Sequence, residues 1–234
     1  MKGKSDKFGL EYFFRRWYFA YRFRAFRAMI RLYESYFKIV ECLTGLEVFD
    51  GHGKKALDIR CALGVTTKWL ASLGYEVIGL DVSQILSLAK RASPQLEFVR
   101  ADAQLQPFAS NSFDLIVAFD VFEHLPNPMR FVSESRRLLK TGGIVVVTAP
   151  SKSFTSFLYD LIRREKSHIN LRKPKEVMKM FRKNFDDVII FTRFLLPIPP
   201  HLFNKYFVIY DVPEPFAEGY ILIASKKSDG VDGG

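Results

Sequence analysis

An α/β domain built on a largely parallel sheet is the fold class this sequence predicts, and three observations predict it. From position 46 onward, short apolar runs rich in Val, Ile and Phe alternate with segments of helical periodicity, the pattern of successive β-α-β units. The 234 residues are 48% hydrophobic and 26% charged, enough to bury one sizeable core without a disulfide or metal staple. Acidic residues stand directly behind several predicted strands, at the sheet edge where open α/β folds bind their ligands.

The elements follow in chain order. Residues 1–45 carry ten basic residues against four acidic ones and so hold more than half of the formal net charge of +10. Within them Phe19, Phe23, Phe26, Ile30, Tyr33, Phe37 and Val40 recur every three or four positions, while Arg24, Arg27, Arg31 and Lys38 fall on another face. That spacing predicts a long amphipathic helix with a cationic back. Strands are then expected at 55–59, 76–80, 96–99, 113–119, 144–149, 187–193 and 220–225. Helices are expected at 65–73, 84–92, 128–139, 153–164 and 174–183. Ser83 is placed as an N-cap, Pro128 and Pro174 suit first helical positions, and Gly142-Gly143 reads as the turn into the fifth strand. The connection 195–219 holds five of the eleven prolines and five aromatic residues, an insertion rather than a plain loop. Residues 46–227 are thus one domain, with 1–45 an appendage and 228–234 a frayed tail.

Composition also excludes. Cys42 and Cys61 stand alone, which argues against a disulfide framework or cysteine zinc site and fits a reducing, cytoplasmic setting. No run of 18 uncharged apolar residues predicts a membrane span. A pI near 9.6 suggests nucleic acid, but the basic residues are interleaved with aromatics that read as buried, and that partner is disfavoured.

The strand ends carry Leu57-Asp58-Ile59-Arg60-Cys61-Ala62-Leu63-Gly64, then Asp81-Val82-Ser83, then Ala101-Asp102-Ala103 within a phrase running to Phe108, then Phe119-Asp120-Val121-Phe122-Glu123-His124-Leu125. Together with Arg137-Leu138-Leu139-Lys140-Thr141-Gly142-Gly143, these resemble the class I S-adenosylmethionine-dependent methyltransferases, small-molecule branch, over about residues 54–193. The resemblance implies a Rossmann-like fold with a seven-stranded, mostly parallel sheet whose last strand is antiparallel. It implies S-adenosylmethionine as cofactor and a small-molecule acceptor. Asp58, Arg60, Gly64, Asp81, Val82, Asp102, Ala103 and Phe119 are its cofactor-binding candidates, with Asp81 on the ribose and Asp102 at the adenine amino group. The departure lies in the first motif, where Arg60 and Ala62 replace glycines that let the backbone approach the cofactor.

His124 and His168 are the candidates for a general base, although either also suits a structural role. Glu123 is not expected to face His124, and no metal set is expected. The aromatic helix and the insertion 195–219 read three ways: a lid over a hydrophobic or aromatic acceptor, ordinary core packing, or an anchor on anionic lipid through residues 8–40. The alternative to an enzyme is a non-catalytic binding or membrane-associated module whose cofactor site is spoiled by Arg60.

Overall fold

The structure, a computed structural model, describes residues 23–163, 167–195 and 208–227. The appendage helix α1 (Phe23–Thr44) precedes β1 (Lys55–Ile59), α2 (Val65–Ser72), β2 (Glu76–Asp81), α3 (Leu86–Ala92), β3 (Glu97–Arg100) and β4 (Phe113–Phe119). A 3₁₀ turn (Phe122–His124) leads to α4 (Pro128–Leu138), β5 (Leu139–Pro150), α5 (Phe154–Arg163), α6 (Pro174–Phe181), β6 (Asp187–Leu195), β7 (Val208–Tyr210) and β8 (Gly219–Ser225). The strands form one sheet in the order β3-β2-β1-β4-β5-β8-β6-β7. β1 to β5 run parallel, and β8 is antiparallel to both β5 and β6. Eight strands stand where seven were expected, because Val208–Tyr210 inside the proline-rich insertion pairs with the outer side of β6.

Both faces of the sheet are buried, and the parity of the strands sorts their side chains. Ile116, Ala118, Val145, Val147, Leu222 and Ala224 face a core closed by Phe131 of α4 and Phe181 of α6. Leu115, Val117, Ile144, Val146, Ile221 and Ile223 face a second core closed by α1 and α2. The predicted stripe of α1 is that second layer. Tyr36, Phe37 and Val40 are almost fully buried, and the Phe37 ring lies 4.8 Å from Trp69. From Ala28 to Val40 the apolar face therefore packs into this core. The expected contact through residues 8–40 otherwise falls on positions 8–22, outside the described residues, as do the tail 228–234 and most of the insertion.

Two local expectations are corrected. Residues 140–143 lie within β5, not ahead of it. The ladder jumps from Phe113↔Leu139 to Leu115↔Ile144, so these residues bulge out of register, with Gly142 at φ 80° taking the left-handed kink. Ser83 does not cap α3, which starts at Leu86 with no side-chain cap; the Ser83 amide donates instead to Asp81. Pro128 and Pro174 do open α4 and α6.

Candidate functional site

The strand order reverses between β1 and β4, and the crevice at their carboxyl ends is where an α/β sheet binds ligands. The β1–α2 turn builds its floor. Arg60 (φ 63°), Ala62 (φ 49°) and Gly64 (φ 74°) alternate in the left-handed region, so the turn keeps a glycine-type backbone although two glycines are missing. Packing shows why the third remains: a Cβ on Gly64 would come within 2.7 Å of the Phe98 ring, and one on Gly79 would meet the same ring at 2.7 Å. The amides of Arg60 and Cys61 both donate to the Leu80 carbonyl, which ties the turn to the end of β2.

Asp81 closes β2. One carboxylate oxygen accepts the Ala62 amide at 2.9 Å and the other the Ser83 amide at 2.8 Å. The side chain is 4% exposed yet held at the crevice, and each oxygen keeps capacity for a further donor. Val82 beside it is exposed, an apolar shelf. Asp102 is exposed and set by its own turn, accepting the Gln104 amide at 2.8 Å, while Ala103 is half-buried next to it. The cofactor candidates Asp81, Val82, Asp102, Ala103 and Gly64 thus flank one edge.

Asp58 and Phe119 are placed differently. The Asp58 carboxyl is buried behind the turn and accepts the Thr67 hydroxyl at 2.6 Å. Burial pushes its pKa up to about 7, with Thr67 opposing and Asp81 adding to the rise. The Phe119 ring lies 4.3 Å from Tyr33 of α1, so it packs on the helix face while its backbone ends β4 at the crevice. Arg60 crosses from β1 to β4, where its guanidinium donates to the Asp120 carbonyl at 2.6 Å.

Asp120 is the hub the sequence did not single out. At φ 52° it is strained, and its amide donates to the Thr148 carbonyl at 2.9 Å. Its carboxylate faces the guanidinium of Arg193 at 3.4 Å, and Arg193 donates to the Tyr36 hydroxyl at 2.6 Å. Arg193 is buried. Burial opposes its charge, but Tyr36, Glu218 and Asp120 more than offset that, and its pKa is raised. A lone arginine among the apolar residues of β6 was the available signal.

The two histidine candidates come together. Glu123 and His124 share the 3₁₀ turn, and the amides of Ile169 and Asn170 donate to the Glu123 carbonyl, bringing His168 alongside. Glu123 Oε1 lies 3.3 Å from His124 Nε2 and 3.8 Å from His168 Nε2, while His124 Nδ1 meets the Ser167 carbonyl at 3.0 Å. The expectation that Glu123 turns away from His124 is therefore overturned, because the turn coils where a strand would have alternated. These three side chains bring ligand atoms within 4.8 Å of one another, a spacing a shared cation would need and one the expectation of no metal set did not foresee. Burial lifts the Glu123 pKa to about 7, helped by Asp120 and opposed by Arg60 and His168.

Residues 57–147 match the methyltransferase domain family. The chain is 26% identical over 144 residues to the ubiquinone biosynthesis O-methyltransferase of Aliivibrio fischeri, covering 55% of this chain and 62% of that protein. Against the Azoarcus enzyme of the same name identity is 30% over 133 residues, or 51% and 56% of the two chains. The chain thus spans about three-fifths of the length of these curated relatives. Among solved structures, a methyltransferase of Thermotoga maritima superposes with a TM-score of 0.68 at 21% identity, covering 93% and 96% of the two chains. One of Archaeoglobus fulgidus gives 0.65 at 19%, covering 90% and 99%. With the strand order and the matched segment in register, residues 57–147 match a methyltransferase domain, and the chain has the fold of the class I methyltransferases.

Proposed function

We propose that the protein is an S-adenosylmethionine-dependent methyltransferase acting on a hydroxyl of a small, apolar or aromatic acceptor. The observation that carries the cofactor reading is Asp81, whose two carboxylate oxygens are fixed by the Ala62 and Ser83 amides at the end of β2. In this arrangement Asp81 would take the ribose hydroxyls, while Val82, Asp102 and Ala103 would take the adenine. The left-handed turn from Arg60 to Gly64 would hold the methionine end, with Asp58 bracing it from behind through Thr67. The bound cofactor supplies an electrophilic methyl group on a sulfonium sulfur. The chain's own residues then have to position the acceptor, exclude water and accept a proton.

The Glu123–His124 pair suits the last task, since the imidazole stands against a buried carboxylate at the end of β4. An oxygen acceptor of quinone-like or lipid-like character is supported by the names of the curated relatives, which act in ubiquinone biosynthesis. The test is methyl transfer from labelled cofactor to catechols with and without an alkyl tail. We expect turnover that improves with the tail, and a drop of about 10²-fold or more in kcat for His124→Gln with cofactor affinity unchanged. Full activity in His124→Gln would remove the histidine from the chemistry.

A second reading rests on Arg60, whose guanidinium bridges the β1 and β4 edges at the methionine end. There the domain would bind a ligand without methyl transfer. Calorimetry decides: no heat with sub-millimolar S-adenosylmethionine, from protein shown to be folded, would favour this second reading.

A further inference from the structure

Helix α5 turns an apolar face to solvent. Phe154, Phe157, Leu158 and Leu161 fall at i, i+3, i+4 and i+7, the spacing of a face meant for burial, yet their exposures are 71%, 63%, 44% and 63%. Among the described side chains, two hydroxyls hold the helix to the protein. Ser156, on the opposite side of the helix, is 2% exposed and donates to the Glu218 carbonyl, and Thr155 Oγ1 donates to the Phe216 carbonyl at 3.2 Å. Phe216 is itself 62% exposed and extends the apolar patch. Ser153 caps the start of α5 by accepting the Ser156 amide at 3.1 Å, so the orientation is fixed from the first turn.

Charge says what the patch meets. Between positions 150 and 175 the sequence has seven Lys and Arg residues against Asp160 and Glu165 alone. An outward apolar stripe within a cationic stretch is the composition of a helix that lies in the headgroup region of an anionic bilayer. We propose that α5 is a membrane-docking helix that seats the protein on anionic lipid. It follows directly on Pro150, the carboxyl end of β5, so docking presents the crevice edge of the sheet to the lipid surface. An apolar acceptor could then reach the site without crossing water. The docking itself does not depend on the methyl-transfer reading, because its test reads vesicle binding alone.

The experiment is co-sedimentation of the full chain with vesicles of phosphatidylglycerol and phosphatidylcholine, and with phosphatidylcholine alone, alongside size-exclusion chromatography. We expect binding to the anionic vesicles at least tenfold stronger than to the neutral ones, weakening as salt rises. The double variant Phe157→Ser, Leu161→Ser should lose that binding tenfold or more while keeping its circular dichroism and melting temperature, since both side chains already face solvent. A Leu158→Trp variant should shift its emission to shorter wavelength on anionic vesicles beyond any shift of the parent. Three results would overturn the proposal: no vesicle binding at low salt, binding that survives in the double variant and so comes from elsewhere in the chain, or a dimer that the double variant dissolves without any vesicle binding.

Discussion

At the scale of single residues, two buried carboxyls set how the fold answers to pH. Asp58 and Glu123 have folded pKa values of about 7, above the ordinary 3.8 and 4.5, chiefly because burial penalises their charged forms. The folded state therefore holds these protons more tightly than the unfolded chain does. Their contribution is complete below about pH 4, declines as pH rises through about 7, and is lost above it. Each tenfold difference in proton affinity between the two states is worth about 1.4 kcal/mol. Asp58→Asn keeps an oxygen to accept the Thr67 hydroxyl but carries no proton to lose. We expect the variant to gain on the parent by roughly 2–4 kcal/mol between pH 5 and pH 8 in urea unfolding; an equal difference at both pH values would contradict this. Arg60 gives a second residue-scale expectation. Its left-handed backbone costs about 1–2 kcal/mol, which Gly would relieve and Ala would not, while both lose the bond to the Asp120 carbonyl. Arg60→Gly should therefore be more stable than Arg60→Ala by about 1 kcal/mol, the strain relief less the entropy glycine costs.

At the scale of elements, α1 is fastened to the site edge by one buried bond, from Arg193 of β6 to the Tyr36 hydroxyl. Tyr36→Phe preserves the ring and its packing but leaves a buried guanidinium donor unmatched. We expect a loss of about 1.5–3 kcal/mol, and in α1 faster amide exchange than in α4, which the substitution does not touch. If α1 kept its protection, the helix would be held by Phe37 and Val40 alone. Such couplings mark where reading the sequence stops. β4 was legible to the residue because it is a run of seven apolar or half-buried residues between turn-forming neighbours, and both its faces are buried. β5 was not, since Gly142-Gly143 reads as a turn locally, and only pairing with β4 and β8 absorbs it as a bulge. β7 was not either: three residues become a strand only because β6 offers them an edge. In the site, Asp81 and Asp102 follow from their place after a strand. The meeting of Glu123 with His168, and of Asp120 with Arg193, comes from contacts between distant segments for which a single chain leaves no pattern.

At the scale of the whole molecule, the cofactor edge should make the protein's stability depend on its ligand. A ligand that binds only the folded state at a hundred times its dissociation constant adds about 2.7 kcal/mol. A domain of this size shifts its melting temperature by about 2–4 °C per kcal/mol. Saturating S-adenosylmethionine should then raise the melting temperature by about 5–10 °C, in a scan read by fluorescence. Asp102→Ala removes an exposed carboxylate that braces its own turn, so the ligand-free protein should melt within a few degrees of the parent. Its ligand-induced rise should shrink by about half if affinity falls about tenfold, since a factor of ten is worth about 1.4 kcal/mol. Asp81→Ala should do more, because the same carboxylate fixes the Ala62 and Ser83 amides and, on the proposed function, would receive the ribose. It should lower the ligand-free melting temperature and abolish the ligand-induced rise. A parent that responds while Asp81→Ala responds equally would move the ribose off β2 and leave the family assignment intact. A folded parent that does not respond at millimolar cofactor would mean that the Arg60 bridge closes the crevice to this ligand.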